Sequence, residues 1–528
     1  MPATSGLIAR ERLGASKGAV DDAVASLLAE DAVARMHAGD HTLWQDDPTE
    51  VADRLGWLPV VAEVQGRLGE LEAMATAAVA VGLEHAVVLG MGGSSLFPEV
   101  LWQTFGASSR HLDLRVLDTT DPAAIARVEA EVDLGRCLFI VASKSGTTIE
   151  TASQLAHFWE RTGGDGGRFI AITDPGTELA ALGNERGFRA VFENRPDIGG
   201  RYSALSLFGM VPGALIGAPL EGLLATATSV AEATGPSWST AVAAESNPAL
   251  RLAAALGGCA RSGRDKLTIL LPEEIGSFGL WLEQLVAEST GKRGTGILPV
   301  VGEDLGDPDV YGADRLFVSV GEASAHKGLD ALAEAGHPVI EVAYEGPLDV
   351  GGLVLLWEQA VALSGVILGI NPFDQPDVAA AKAATNRVLA GGPSEIDLVP
   401  ASQLLDEVRP GDYVAVTAFV DPGRYDLLRG LQAARMAIRD RYRVATTLGI
   451  GPRFLHSTGQ LHKGGPPTGV FLQVVGEDPT DIQIPGRDMG FSQLKRAQAD
   501  GDLTALCERG LRAGRVALDD LIGQAGAR

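Results

Sequence analysis

The stretch CLFIVASKSGTTIET, residues 137–151, joins a short apolar run to a segment rich in hydroxyl groups. Residues 137–141 are apolar without a break, which is typical of a strand buried on both faces of a parallel sheet. A helix is predicted to follow the hydroxyl-rich segment. The stretch therefore has the strand, loop and helix order of a doubly wound α/β fold, whose ligands bind where the strands end.

The loop of this stretch carries more hydroxyls than a helix start needs. An N-cap uses one side-chain oxygen, whereas Ser143, Ser145, Thr147 and Thr148 supply four. Together with the unpaired N–H groups of the helix start, they favour an anion with several oxygens, such as a monophosphate. Lys144 either adds a positive charge or points to solvent, and helix capping without a ligand is the alternative. The glycine spacing is not that of a P-loop, which argues against a nucleoside triphosphate.

Short apolar runs alternate with helix-length segments in two successive sets. This pattern predicts two parallel sheets, each covered by helices on both faces. The predicted strands are residues 85–90, 112–117, 137–141, 169–173 and 189–192 in the first set, and 266–271, 296–301, 316–320 and 338–342 in the second. A smaller α/β segment follows residue 400, after a linker rich in Ala, Gly, Pro and Ser.

From these patterns we predict four parts for the chain of 528 residues. They are an N-terminal helical segment (1–55), a first α/β domain (56–235), a second α/β domain (236–395) and a C-terminal α/β segment (396–528). The last part carries the sequence HSTGQLH. The length fits several domains better than one core.

The composition is that of a soluble globular protein and excludes several classes of partner. The chain has 43 Lys and Arg against 68 Asp and Glu, a net charge of −25, which argues against binding nucleic acid or an anionic membrane. The three cysteines lie far apart, without a metal-ligand spacing, which indicates a reducing compartment and no structural zinc. No secretory signal and no apolar run of membrane-spanning length is found, so a cytoplasmic location is predicted.

A second glycine-rich turn, GMGGSS at residues 90–95, follows another predicted strand. Gly93 lets the backbone approach a ligand closely, and Ser94 supplies a hydroxyl at a helix start. The turn differs from a dinucleotide-binding fingerprint because Ser95 replaces the last glycine. Helix capping without a ligand is the alternative interpretation of this turn.

Two charged residues are candidates for acid–base and electrostatic roles. Arg201 follows two glycines in GGRYS, and a tight turn at Gly200 would direct the guanidinium toward a phosphate or an enediolate. Glu288 lies on a predicted helix beside Trp281, with Gln284 one turn earlier. A carboxylate at the edge of an apolar stripe, near the negative end of a helix, is expected to have a raised pKa, as a general base near neutral pH requires. The alternatives are a surface arginine and a helix-end glutamate.

Two late motifs supply the remaining candidates. INPFDQPDVAAAK, residues 370–382, places Gln375 on a turn and Lys382 on the next helix. HSTGQLHK contains two of the nine histidines, His456 and His462, in a glycine-rich loop where packing rarely requires histidine. Their spacing, without nearby thiolates or carboxylates, argues against a metal site.

In this order, the motifs GMGGSSL, SKSGTT, GGRYS, AESTGK and NPFDQPDVAAAK resemble those of the phosphoglucose isomerase family, over residues 50–400. The segment with HSTGQLHKGGP is similar to the isomerase portion of chains that also carry a transaldolase. The resemblance implies two SIS domains, which are flavodoxin-like with three αβα layers. It implies reversible isomerisation of D-glucose 6-phosphate to D-fructose 6-phosphate through ring opening and a cis-enediol(ate), in glycolysis and gluconeogenesis, with no cofactor and no metal.

The resemblance also assigns roles to individual residues. Glu288 would move a proton between C2 and C1, Arg201 would stabilise the enediolate, and Lys382 with His456 would open the sugar ring. His456 takes this role by local similarity, since the family's histidine precedes the NPFDQP-type motif, and His462 remains an alternative. The residues expected to line the sugar-phosphate pocket are Gly93, Ser94, Ser143, Lys144, Ser145, Thr147, Thr148, Gly200, Gln284 and Gln375.

The partners implied by the resemblance are a small sugar phosphate, a second copy of the chain in a homodimer that shares site residues, and a functional link to a transaldolase. Two alternatives stay open. The first is a bifunctional phosphoglucose/phosphomannose isomerase, and the second is a non-catalytic SIS-type sensor of sugar phosphates. The presence of both Glu288 and Arg201 favours an enzyme over a sensor.

Overall fold

The computed structural model describes residues 7–236, 245–321, 326–391 and 396–526, and for 378–383 and 525 the backbone alone. Within these ranges the chain forms three sheets, of five, five and four strands. Helices alternate with the strands along the chain, so the fold is mixed α/β with largely parallel sheets. The predicted fold class is confirmed.

The first sheet is centred on the strand that contains the opening stretch of apolar residues. Its strands are all parallel, and in chain order they lie as 2-1-3-4-5, which is the flavodoxin-like arrangement. The central strand is fully buried, because helices cover both faces. In spatial order the strands are Asp113–Leu117, His85–Gly90, Cys137–Ala142, Phe169–Thr173 and Ala190–Glu193.

The second sheet contains one strand that the sequence analysis did not predict. In spatial order its strands are Ile8–Arg12, Val339–Val342, Arg315–Val320, Lys266–Leu270 and Leu298–Val300. The N-terminal segment, predicted to be helical, thus also supplies an edge strand, which pairs antiparallel with its neighbour. The other pairings are parallel. The edge strand, IARER, has no fully buried residue, so it lacks the apolar run on which the prediction relied.

The C-terminal part of the chain, residues 396–526, forms a third lobe around its own parallel sheet. In spatial order its strands are Ala445–Ile450, Tyr413–Phe419, Gly469–Val475 and Arg512–Arg515. Ion pairs join the third lobe to the rest of the protein, with N···O distances of 2.6, 2.8 and 2.6 Å for Arg127–Asp421, Lys495–Asp121 and Arg509–Asp377.

The helices pack on both faces of these sheets. Those of the N-terminal region and the first sheet are Lys17–Ala29, Ala32–His37, Val60–Gln65, Leu68–Ala80, Leu96–Phe105, Pro122–Glu131, Ile149–Arg161, Glu178–Glu185, Leu207–Ile216 and Leu220–Thr234. Those around the second sheet are Pro248–Arg261, Phe278–Thr290, Leu329–Glu334 and Asp349–Leu368, and the helix Val378–Gly391 that follows them packs against Phe491–Glu508 of the third lobe. Those of the third lobe are Ala401–Leu405, Tyr425–Tyr442, Gly459–Gly464, Phe491–Glu508 and Leu518–Gly523.

The helix Asp349–Leu368 lies at the centre of the largest hydrophobic core. It packs against the helices Pro248–Arg261 and Leu220–Thr234. By length and composition it could cross a membrane, but 94% of its most apolar window is buried inside the protein. A helix that is apolar on every side and surrounded by other elements is typical of a large core.

Candidate active site

Three segments from different parts of the chain meet at the short turn Gly92–Ser94. A Cβ atom on Gly93 would lie 2.0 Å from the carbonyl oxygen of Gly200, and one on Gly92 would lie 2.7 Å from that of His456. A side chain at either position would collide with backbone, so only glycine permits this close approach. The GGRYS and HSTGQLH segments are thereby brought against the edge of the first sheet.

The hydroxyl loop, residues 143–148, follows the central strand of the first sheet and is organised by its own hydrogen bonds. The Ser143 hydroxyl lies 3.0 Å from that of Thr148 and accepts a bond from the Gly146 N–H at 3.1 Å. The hydroxyls of Ser145 and Thr147 are 3.0 Å apart and exposed to solvent. Thr148 is the N-cap of the next helix but makes no capping bond with its side chain. Capping therefore does not account for these hydroxyls.

Lys144 belongs to the same loop, and its charge is already compensated within the protein. Its ammonium group forms an ion pair with Asp174 and donates a hydrogen bond to the carbonyl of Pro196 at 2.8 Å. Ser94, predicted for the same pocket, is buried on the adjacent turn. The structure thus places the Lys144 side chain in a contact that braces the loop.

Arg201 is fully buried where the GGRYS turn meets the helix Phe278–Thr290 and the segment 372–374. Its guanidinium donates to the Ser289 hydroxyl at 2.8 Å, to Glu288 Oε2 at 3.3 Å and to the carbonyls of Pro372 and Asp374 at 2.5 and 3.2 Å. A guanidinium with several fixed acceptors is held in place, because four of its five N–H donors are bonded to the surrounding backbone and side chains. The GGRYS turn therefore holds a positive charge next to Glu288.

Glu288 is 3% exposed, on the helix Phe278–Thr290. Burial raises the pKa of Glu288, against the opposing charge of Arg201 and a hydrogen bond from Gln284. The Gln284 amide lies 3.5 Å from Glu288 Oε1 and donates a second hydrogen bond, at 2.8 Å, to the carbonyl of His456. Gln284 thus links the carboxylate to the histidine segment.

His456 comes from the third lobe and contacts the first domain through its imidazole. Its Nε2 lies 2.9 Å from Oε1 of Glu150, a buried carboxylate on the helix after the hydroxyl loop. The same carboxylate oxygen accepts a hydrogen bond from Gln498 at 2.6 Å. Hydrogen bonds therefore connect Glu150, two residues after the hydroxyl loop, through His456 and Gln284 to Glu288.

His462, the second candidate histidine, lies away from these contacts. It is buried among the rings of Tyr413, Phe454 and Phe471, with centroid distances of 6.4, 6.0 and 5.1 Å. Burial lowers the pKa of His462 to about 3, so its ring is neutral at ordinary pH. Neither ring nitrogen has a hydrogen-bond partner in the part of the chain that the structure describes. Packing accounts for its position.

Two residues of this cluster were not singled out in the sequence analysis. Glu150 lies two residues after the motif SKSGTT, and Lys292 is the last residue of AESTGK. Burial lowers the pKa of Lys292 to about 7, and its ammonium donates to the carboxylate and the carbonyl of Asp374, both at 2.7 Å. Both residues are visible in the motifs, but their burial depends on segments far away in the chain.

The motif INPFDQPDVAAAK lies beside this cluster. Gln375 is half-buried on the turn that leads into the helix Val378–Gly391. Lys382 lies on that helix, and its side chain is outside the described residues. The structure therefore brings Asp374 of this motif to the cluster.

A cavity of about 740 Å³ opens beside the hydroxyl loop. It runs between the helices Ile149–Arg161 and Glu178–Glu185 and reaches Ser143 and Thr148. Glu288 and Arg201 do not line it. The cavity is therefore a neighbour of the hydroxyl loop and separate from the buried acid–base cluster.

The cluster combines a carboxylate of raised pKa, a buried guanidinium, a histidine–carboxylate pair and a loop of hydroxyls. A carboxylate with these properties can act as a general base, and a fixed guanidinium can stabilise an oxyanion that forms next to it. Among the described residues, no group of three His, Cys, Asp or Glu side chains is arranged to hold a metal ion. The chemistry available is proton transfer beside a carbonyl group.

Comparison with known proteins gives matches over part of the chain. Residues 51–296 match the family described as phosphoglucose isomerase. The chain is 31% identical over 353 residues to a glucose-6-phosphate isomerase of Cyanothece sp., and 31% identical over 349 residues to one of Thermosynechococcus vestitus. These matches cover 58% and 57% of the chain and 65% of each relative, so the chain matches just under two thirds of their length.

Two solved structures are similar over most of their own length. A hypothetical protein from Thermus thermophilus has 27% sequence identity and a TM-score of 0.60, with 72% of this chain and all of that one covered. A glucose-6-phosphate isomerase from Chlamydia trachomatis has 21% identity and a TM-score of 0.55, with 67% and 78% covered. The second similarity concerns the fold alone.

Proposed function

We propose that the chain is a member of the phosphoglucose isomerase family, which it matches over residues 51–296, and that it catalyses the reversible isomerisation of D-glucose 6-phosphate and D-fructose 6-phosphate. The observation that carries the proposal is the buried pair of Glu288 and Arg201, with the carboxylate 3.3 Å from the guanidinium. Aldose–ketose isomerisation needs a base for the proton between C2 and C1 and a cation for the enediolate. This pair supplies both.

In the proposed reaction, Glu288 accepts the proton from C2 of the open-chain aldose and returns it to C1. Its raised pKa suits both steps, because a base that is too weak cannot accept a proton and a base that is too strong cannot release it. The positive charge of Arg201 stabilises the negative charge that develops on the substrate oxygens between the two steps. Its fixed hydrogen bonds mean that little reorganisation is needed when this charge forms.

His456 and Lys382 open the sugar ring in this proposal. The contact of His456 with Glu150 fixes the orientation of the imidazole, as a histidine that exchanges protons with a hydroxyl requires. Its backbone contact with Gln284 supports the assignment of this role to His456 over His462. Lys382 is proposed from the motif alone, since its side chain lies outside the described residues.

The hydroxyl loop binds the phosphate of the substrate in this proposal. Ser145 and Thr147 face solvent, and Ser143 and Thr148 can turn their hydroxyls from each other to an oxyanion. The further pocket residues proposed are Gly93, Ser94, Lys144, Gly200, Gln284 and Gln375. A phosphate held at one end of the sugar would leave C1 and C2 for Glu288.

The test is turnover of D-fructose 6-phosphate by the purified chain, with unphosphorylated D-fructose as the control substrate. Isomerisation of the phosphate ester alone would support the proposal, and tight binding without turnover would favour the sensor. Turnover of D-mannose 6-phosphate at a comparable rate would favour the bifunctional isomerase. Ser143→Ala should raise KM for the phosphate ester about 10-fold, as expected for one lost hydrogen bond to a charged group. Ser229→Ala, at a half-buried serine whose hydroxyl donates to the Ala225 carbonyl of its own helix, should leave KM unchanged.

The proposed setting is the cytoplasm, where glycolysis and gluconeogenesis proceed. The free cysteines Cys137, Cys259 and Cys507 support a reducing compartment. The homodimer and the functional link to a transaldolase stay predictions from the sequence resemblance.

A further inference from the structure

An ion pair lies three residues before His456 and joins two lobes of the protein. Arg453 begins the short turn Arg453–His456 of the third lobe, and its Nε is 2.6 Å from Oδ2 of Asp118. Asp118 is 4% exposed and directly follows the strand Asp113–Leu117 of the first sheet. The histidine turn is therefore attached to the first domain by a largely buried charge pair.

Asp118 also reaches the glycine turn that touches His456. The Ser95 hydroxyl lies 3.2 Å from the same Oδ2 of Asp118 and 3.2 Å from the carbonyl of Gly92. Gly92 in turn lies against the backbone of His456, where a Cβ would come within 2.7 Å of the carbonyl oxygen. The contacts from Arg453 through Asp118, Ser95 and Gly92 thus lead back to the backbone of His456.

The positive charge of Arg453 interacts with carboxyl groups from several elements. Its charge acts on Glu99 of the helix Leu96–Phe105 and on Glu283 of the helix Phe278–Thr290. Burial raises the pKa of both carboxyls, to about 7 for Glu283, and the arginine opposes that rise. A guanidinium is suited to such a place because its planar donors can serve several acceptors while the charge persists.

From this geometry we propose that Asp118 and Arg453 are positioning residues for His456. They hold the turn at the place where the imidazole meets Glu150 and the backbone carbonyl meets Gln284. The kinetic part of this inference rests on the proposed isomerase function, since a shift of His456 lowers kcat only if this histidine takes part in the reaction. The structural part does not, because the position of His456 can be measured directly.

The third lobe has other attachments, so loss of this ion pair need not undock it. Arg127 and Asp421 form a second ion pair between the first domain and the third lobe, with a distance of 2.6 Å and no contact to the histidine turn. Arg127→Met therefore serves as the matched control for Arg453→Met. Both changes remove one arginine from the same interface, but only one acts on the turn.

The experiment compares Arg453→Met, Asp118→Asn and Arg127→Met by kinetics with D-fructose 6-phosphate and by NMR of the histidine ring protons. The His456 resonance is identified by its absence in His456→Gln. Arg453→Met and Asp118→Asn should shift this resonance and lower kcat about 10- to 100-fold, because a displacement of about 1 Å at a catalytic group has effects of this size. KM should stay near that of the wild type, and Arg127→Met should change neither readout.

The double variant Arg453→Met/His456→Gln separates positioning from an independent effect. If the arginine acts through the histidine, the double variant should be no slower than His456→Gln, whereas multiplied losses would overturn the proposal. An unshifted His456 resonance in Arg453→Met would also overturn it. A wild type without isomerase activity would refute the proposed function, while the shifted resonance would still support the positioning role. If Arg453→Met does not fold, Asp118→Asn and Arg453→Lys carry the same test.

Discussion

Replacement of Glu288 by glutamine tests the proposed base with almost no change in shape. The substitution removes the acid–base group and keeps the volume of a side chain that is 3% exposed. Loss of a general base lowers turnover by about 10²- to 10⁴-fold, which corresponds to about 3–5 kcal/mol in the barrier. We expect kcat with D-fructose 6-phosphate to fall by this amount, with a small change in KM.

The contacts around Glu288 indicate that this loss should not come from unfolding. A glutamine can still accept from Arg201, but its amide would face the Gln284 amide, so one weak contact of 3.5 Å is lost, at a cost of about 1 kcal/mol. Arg201 keeps its bonds to Ser289 and to backbone carbonyls. Burial raises the pKa of Glu288 above 4.5, so its stabilising effect is fully present below pH 4.5 and is lost as pH rises through the raised pKa. Glutamine does not ionise, so the variant does not lose this free energy of unfolding at neutral pH.

The assay follows deuterium exchange at C2 of the sugar phosphate in D₂O by NMR, together with steady-state turnover. The matched control is Glu358→Gln, the same substitution at a buried glutamate whose pKa is raised by burial and which lies on the core helix Asp349–Leu368. The control should keep wild-type exchange. If Glu288→Gln keeps exchange and turnover near wild type, the proton-transfer role is refuted.

Three further outcomes follow from the structure. In the wild type, the free energy of unfolding should rise by about 1.4 kcal/mol per pH unit from about pH 7 to 10.5, because the buried Lys292 ammonium loses its proton at a lower pH in the folded state than in the unfolded state. Lys292→Met should abolish this rise. In the wild type, the free energy of unfolding should fall by about 1.4 kcal/mol per pH unit as pH drops from 6.5 to about 3, because the His462 ring binds a proton only in the unfolded state over this range. His462→Phe should abolish this fall and keep activity. Gly93→Ala should cost roughly 1–3 kcal/mol or more and impair turnover, because its Cβ would collide with the Gly200 carbonyl. Urea unfolding at several pH values and steady-state kinetics measure these effects.

Each of these outcomes has its own control. Lys17→Met, at an exposed helical pair, should leave the pH dependence of unfolding as in the wild type. His456→Gln should lower turnover where His462→Phe does not, and the reverse result would exchange the two histidines in the proposal. Gly69→Ala, in a helix with open space around the new Cβ, should not impair turnover. Wild-type turnover in Gly93→Ala would contradict the close approach of the two turns.

The sheet pattern could be predicted because its signal is local. The strand Cys137–Ala142 is apolar throughout since helices cover both of its faces, and the pattern needs no knowledge of its neighbours in space. The edge strand Ile8–Arg12 could not be found in this way. It is polar on the open side, and its partner Val339–Val342 lies more than 300 residues later. Pairing across such a distance leaves no trace in a short window of sequence.

The sequence by itself determined which residue types are available at the site. It placed the hydroxyls of residues 143–148 after a buried strand and Glu288 on a helix with Arg201 in a glycine turn, because turn and helix signals depend on neighbouring residues. The tertiary structure decided which of these groups meet and in what charge state. It is His456, and not His462, whose imidazole contacts Glu150, 306 residues away in the chain. Burial and pKa depend on such distant contacts, which spacing along the chain does not contain.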